Sequence, residues 1–152
     1  MTRTKRLLDL VLAIAGLLVL WPVFLGIAAA IKLDDRGPVF FRQTRVGRHG
    51  RPFRIWKFRT MVPRAEQLGS PITVDGDARV TRAGARLRAC KADELPQLFN
   101  ILAGEMSLVG PRPELPRYVE GYTDEQRRVL ELMPGITDPA SLRYRDEGAL
   151  LA

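Results

Sequence analysis

The chain has 152 residues, one cysteine, one histidine and a formal net charge of +7. That length supports one domain plus an appended apolar segment. Cys90, alone, rules out an internal disulfide and fits a reducing compartment, and with His49 as the only histidine a His/Cys metal centre is disfavoured. A sequence pI of 10.3 calls for an anionic partner: nucleic acid, an anionic membrane surface or a phosphorylated substrate. A hard cation held by carboxylates and phosphates stays open.

The first element is "LVLAIAGLLVLWPVFLGIAAAI", Leu10 to Ile31, 22 residues without a charge. It is long enough to cross a bilayer as a helix. A secretory signal is one alternative, with Arg3, Lys5 and Arg6 as the basic start and Ala28-Ala29-Ala30 as a cleavage-like site. The run is longer than the usual signal core, and Pro22 interrupts it. Pro22 removes one helical hydrogen bond near the middle, which favours a kink or a helix-break-helix. Basic residues flank both ends, Arg3, Lys5 and Arg6 on one side and Lys32 and Arg36 on the other. Both ends therefore suit the cytoplasmic face, as in a segment that enters the bilayer, turns near Trp21-Pro22 and returns. A kinked spanning helix is the alternative topology. Asp9 reads as a solvated helix-end charge at headgroup level.

A turn-rich boundary, Asp34-Asp35-Arg36-Gly37-Pro38, separates residues 1–36 from a domain over 37–152. Val39-Phe40-Phe41 and Phe53 to Phe58 are rich in strand formers, and Gly47-Arg48-His49-Gly50 between them is a turn signal, so a β-hairpin is expected. Alternation along the second strand projects Lys57 and Arg59 together. Most of the hairpin arginines read as a solvated basic surface for anionic lipid headgroups. Basic residues among aromatics also suit single-stranded nucleic acid, but the membrane segment argues against that as the main role.

Residues 63–77 read as a loop or short helix, Thr81 to Gly84 as a turn, and Ala85 to Cys90 as a helical turn carrying Arg86 and Arg88. Leu95, Leu98, Phe99 and Leu102 recur at helical spacing, with Asp93 as the expected N-cap, Pro96 in the first turn and Gly104 as the stop. Asp93 and Glu94 can thus be an ordinary acidic helix opening. They can also be the chemistry, since adjacent helical residues point about 100° apart and serve different tasks at one site. Basic residues gather around them: Arg86, Arg88 and Lys91 before, and Arg112 after, bracketed by Pro111 and Pro113 on a stiff loop suited to fixing phosphate. Thr123 to Gln126 fits a capping box ahead of a helix over "RRVLELM".

"KFRTM" (57–61), "DELPQLFNILAGEMSLVGPRP" (93–113) and "PGIT" (134–137), behind an apolar N-terminus, resemble the bacterial sugar transferase family, the small monotopic phosphoglycosyl transferases. The resemblance covers nearly the whole chain. It implies an α/β protein: a re-entrant helix-break-helix in the membrane, then a small mixed helical catalytic domain with a short β-hairpin on the cytoplasmic face of the bacterial inner membrane. It implies transfer of a sugar-1-phosphate from a UDP-sugar to polyprenyl phosphate, with release of UMP, as the first membrane step of glycan assembly. It further implies Asp93 as the nucleophile of a ping-pong reaction and Glu94, beside Asp93, as the carboxylate that positions Mg²⁺. By the same resemblance Lys57, Arg59, Arg88 and Arg112 bind phosphates, and Pro22 breaks the membrane hairpin.

Three departures from the family pattern stand out. "PGIT" is followed by Asp138-Pro139 instead of the more usual glycine, and counting from Pro134 sets Arg145 where a family arginine falls, with Arg143 as a substitute two residues away. Lys91-Ala92 replaces a small polar residue before the acidic pair. The chain stops at "DEGALLA", earlier than the resemblance leads one to expect, either naturally short or cut. A homo-oligomer is left open, and nucleic acid is not an expected partner. The rival reading is a non-enzymatic, membrane-anchored basic adaptor, in which Asp93 and Glu94 have no purpose.

Overall fold

The computed structural model describes residues 2–65, 68 and 77–138. Helix α1, Arg3–Asp35, opens on Thr2, whose side chain accepts from the Lys5 amide, and closes on Arg36 in the left-handed region. Pro22 lies inside it, and no residue around Trp21 leaves the helical region. The expected break is therefore not a non-helical residue. Proline's fixed φ is itself helical, and what it removes is one N–H. By length and composition α1 could cross a membrane, and only 6% of its most apolar window is buried, unlike a soluble protein's core helix. Leu18, Val19, Trp21 and Leu25 are all more than half exposed.

Both ends of α1 nevertheless rest on the same domain. Arg6 donates to the carbonyls of Ile101 (2.7 Å) and Leu102 (3.2 Å). Asp9 is only 2% exposed and accepts from Ser107 Oγ at 2.8 Å and Lys5 Nζ at 3.1 Å. The expectation of a solvated Asp9 is thus corrected: the helix lies along the domain, and a carboxylate buried there is stable only with such partners. At the far end Asp34 accepts from the Ala83 amide at 2.9 Å, and Asp35 pairs with Arg59.

Strands β1 (Phe40–Val46) and β2 (Pro52–Phe58) form the expected antiparallel hairpin, with Phe40 opposite Phe58 and Val46 opposite Pro52. Phe53 and Ile55 of β2 pack with Ala13, Leu98, Ile101 and Met106 in one apolar cluster. Phe58 packs with Ile31 and Leu87 in a second, against Phe24 and Ile27. Each cluster includes α1 residues, so the helix completes both cores. Among the described residues the other edge of β2 pairs with no strand. Asn100 covers it: its fully buried side chain accepts from Trp56 N (2.9 Å) and donates to Arg54 O (2.9 Å). The amide copies the backbone partner that an edge strand lacks.

Helix α2 (Arg82–Ala89) begins where a turn is expected, because Thr81 accepts from the Gly84 amide as an N-cap. Gly84 has to be glycine: a Cβ there would sit 2.0 Å from the Thr60 carbonyl oxygen. The helix after the acidic pair, α3 (Gln97–Ala103), starts later than expected and stops at Gly104, with φ 82°. Asp93 is not its N-cap. Lys91 turns the chain through the left-handed region at φ 54°, and Ala92–Glu94 form a separate 3₁₀ turn. Two short strands, β3 (Ser107–Val109) and β4 (Gly135–Thr137), pair in parallel. At three residues each they are too short to show alternation in sequence. Helix α4 is Pro116–Glu120. Helix α5, Asp124–Arg127, carries the expected capping box but gives way to a 3₁₀ turn over Arg128–Glu131, so the expected helix over "RRVLELM" is that 3₁₀ turn after a single α-helical turn.

Asn100→Ala removes the partner of the Trp56 N–H and of the Arg54 carbonyl. The expected cost is roughly 2–6 kcal/mol, from about 1–3 kcal/mol per orphaned group. A clear drop in the thermal midpoint in detergent micelles is the expected result, and an unchanged midpoint would show that the edge is satisfied otherwise.

Candidate functional site

The site gathers where β2, the 3₁₀ turn and the loop after β3 meet. Lys57, at the end of β2, follows the strand alternation and reaches the acidic pair: its Nζ lies 2.7 Å from Glu94 Oε1 and 3.9 Å from Asp93 Oδ2. Arg112, on the proline-bracketed loop, donates to the same Glu94 Oε1 at 2.8 Å and lies 3.5 Å from Oε2. Arg88, on α2, is aimed by Thr60, whose hydroxyl accepts from its Nε at 2.9 Å. Three of the basic residues named from sequence thus converge on Asp93 and Glu94.

Arg59 does not project with Lys57. Strand β2 ends at Phe58, so the pleat no longer sets the direction of the next side chain. The Arg59 guanidinium makes a bidentate pair with Asp35 and donates to the carbonyls of Pro38 and Met61. It borders the same cleft, but only 6% of it is exposed. Arg143 and Arg145 lie outside the described residues.

The two carboxylates differ in charge behaviour. Asp93 is buried, and desolvation pushes its carboxyl above the usual aspartate value; the neighbouring Glu94 charge adds to this, while Lys57 and Arg88 oppose it. Burial acts on Glu94 in the same upward direction. There the combined pull of Lys57 and Arg112 outweighs it and brings the carboxyl down to about 2. The more basic carboxylate, with no side-chain hydrogen bond from the described residues, sits beside a fixed anion that orders two cations. That division is what a nucleophile and its electrostatic neighbour need.

These groups floor a cleft of about 1260 Å³. Among the described residues its walls carry Arg42, Arg45, Arg64, Arg79, Lys91 and Arg117 besides the cations already named, against three acids, so an anionic ligand is favoured. Phe40, Phe41, Leu115 and Pro116 make part of the wall apolar. Among the described residues no group of three or more metal-ligating side chains occurs. Two adjacent carboxylates still suit Mg²⁺, which takes one or two from a protein when substrate phosphates and water complete its shell. Glu94 Oε2, with only the long Arg112 contact, is the oxygen left for such an ion.

Arg45 was not singled out from sequence within the basic hairpin. Its Nη1 donates to the Pro113 carbonyl at 3.1 Å, which holds the loop that presents Arg112. Thr60 and Asn100 were also missed: both lie inside the quoted motifs, but their partners, Arg88 for the Thr60 hydroxyl and the β2 backbone for the Asn100 amide, are distant in sequence.

A basic cleft floored by a desolvated carboxylate is built to handle a phosphorylated group, and the chain's relatives agree with that class. The profile of the bacterial sugar transferase family matches residues 1–150, and the chain belongs to that family. It is 47% identical over 121 residues to the UDP-N-acetylgalactosamine-undecaprenyl-phosphate N-acetylgalactosaminephosphotransferase of Aeromonas hydrophila, covering 80% of this chain and 29% of that protein. It is 43% identical over 142 residues to the uncharacterized sugar transferase EpsL of Bacillus subtilis, covering 93% of this chain and 69% of that one. A UDP-glucose:undecaprenyl-phosphate glucose-1-phosphate transferase of Caulobacter vibrioides is 45% identical over 142 residues, covering 91% and 53%. The chain thus spans less than a third of the Aeromonas protein's length and about half of the Caulobacter protein's. A non-enzymatic adaptor finds no support in these relatives.

Lys57→Met removes a cation that favours the Asp93 anion, so the Asp93 carboxyl is expected to titrate at still higher pH than in the unaltered protein. Carboxyl ¹³C NMR of the aspartates reads this directly; an Asp93 titration that stays put or moves down would show that Lys57 does not act on it.

Proposed function

We propose that the protein transfers a sugar-1-phosphate from a UDP-sugar to polyprenyl phosphate at the cytoplasmic face of the bacterial inner membrane. The observation that carries this reading is the pairing of a desolvated, upward-shifted Asp93 with a strongly acidic Glu94 in one basic cleft. The names of the Aeromonas and Caulobacter relatives, which both specify undecaprenyl phosphate, support the acceptor class.

In this mechanism an Asp93 carboxylate oxygen attacks the sugar-bearing phosphorus. The phosphoanhydride P–O bond breaks, UMP leaves with that electron pair, and the sugar phosphate stays on Asp93. An oxygen of polyprenyl phosphate then attacks the same phosphorus, and the Asp93–phosphorus bond breaks to restore the carboxylate. Lys57, Arg88 and Arg112 bind the phosphates, with Lys57 and Arg112 held in place by Glu94 before substrate arrives. When bound, Mg²⁺ would be held by Glu94, with Asp93 alongside, and would neutralise diphosphate charge.

The acceptor is a lipid, so the site has to sit at a membrane surface. Here the re-entrant disposition of α1 is favoured over a spanning one. A helix that crossed the bilayer would carry its ends to opposite faces, whereas Arg6 and Asp9 at one end and Asp34 and Asp35 at the other all contact one domain. Pro22 falls in the exposed stretch between them, where a bend is cheapest.

Asp93→Asn keeps the shape of the side chain and removes the nucleophile. UMP release from a UDP-sugar in the presence of polyprenyl phosphate is expected to fall by at least about 10³-fold. Turnover at the unaltered rate in that variant would defeat the covalent route.

A further inference from the structure

Two acids stand where a helix least tolerates them. Asp34 and Asp35 occupy the last turn of α1, at the negative end of its dipole, with Lys32 as the only base in that turn. Each is instead committed to an element that carries site residues. Asp34 accepts from the Ala83 amide, in the first turn of α2, where a negative charge is welcome. Helix α2 carries Arg88. Asp35 makes the bidentate pair with Arg59 and accepts from the Gly37 amide at 3.1 Å.

From Arg59 the connection to the site is short. Lys57 lies two residues before it, with Phe58, 1% exposed, fixing the chain between them. Thr60 follows: its carbonyl accepts from Thr81 N at 3.0 Å, and its hydroxyl aims Arg88. The Arg59 amide donates to Val39 O at 2.9 Å, and Gly37 leaves the guanidinium its room, because a Cβ there would lie 2.7 Å from it. Arg59 is thus enclosed, with four of its five N–H donors given to Asp35 and two carbonyls. A phosphate that took both guanidinium arms would displace Asp35.

We propose that Asp35, with Asp34 beside it, is a positioning residue that couples the seating of the membrane helix to the alignment of Lys57 and Arg88 around Asp93. The carboxylates reach no substrate. They fix the register between α1 and the two elements whose cations favour the Asp93 anion, so that the site is assembled only while α1 is docked. The activity part of this inference rests on the transferase reading above; the structural part does not.

The test uses the full chain in detergent micelles and compares Asp35→Asn with the unaltered protein. The first readout is amide hydrogen exchange over residues 57–60 and 82–89. Asp35→Asn speeds exchange over 57–60, and Asp34→Asn, which frees only the α2 arm, speeds it over 82–89 alone. The second readout is UMP release: kcat falls about 10- to 100-fold, as expected for misplaced groups, while KM for the UDP-sugar changes by less than about threefold, and Asp35→Glu recovers part of the rate. An Asp35→Asn protein whose exchange over 57–60 is unchanged overturns the coupling, whatever its thermal stability. So does a variant with unaltered kcat, as does a rise in KM alone, which would make Arg59 a direct phosphate ligand. If Asp35→Asn does not yield folded protein, Asp34→Asn decides on the same two readouts. Absence of UMP release from the unaltered chain counts against the transferase reading, and hydrogen exchange still decides the coupling.

Discussion

Everything at the site depends on Glu94 holding two cations at one oxygen. Lys57 comes from the hairpin and Arg112 from the loop after β3, so a single carboxylate joins two elements that are otherwise far apart in sequence. Its drop to about 2 measures how strongly it is held against burial. Stability from this group is therefore full above the ordinary glutamate range and fades only as pH falls toward 2. Asp93, one residue earlier, has the opposite balance: burial pushes its carboxyl up, Glu94 adds to this, and Lys57, 3.9 Å away, together with Arg88 does not outweigh them. Adjacent carboxylates are thus shifted in opposite directions by their surroundings.

The second constraint is where α1 lies. Its apolar side chains face outward over most of its length, yet Ala13 and Ile31 are buried in the two separate core clusters. The domain is incomplete without the helix, and the helix cannot leave without opening both cores.

Much of this was legible in the sequence where a local rule applied. The hairpin, the capping box and the stop at Gly104 follow from turn and cap chemistry over a few residues. Lys57, Arg88 and Arg112 were expected near Asp93 and Glu94, and they are there. Tertiary partners overrode the local rules elsewhere. Asp9 looked solvated because Ser107, its partner, is 98 residues away. Asp93 looked like an N-cap because the left-handed turn at Lys91 has no strong sequence signal. Arg59 was expected beside Lys57 because strand alternation was carried one residue past the strand's end. Asp34 and Asp35 looked like part of a turn, whereas each is paired across the fold.

The central claim is that Asp93 carries the sugar phosphate between donor and acceptor. The most direct measurement is the intact mass of the protein after mixing with a UDP-sugar in the absence of polyprenyl phosphate, followed by peptide mapping. The account predicts an added mass of one sugar phosphate on the peptide containing Asp93, lost when polyprenyl phosphate is supplied. UMP release that requires polyprenyl phosphate from the outset, with no adduct at any time, would contradict it.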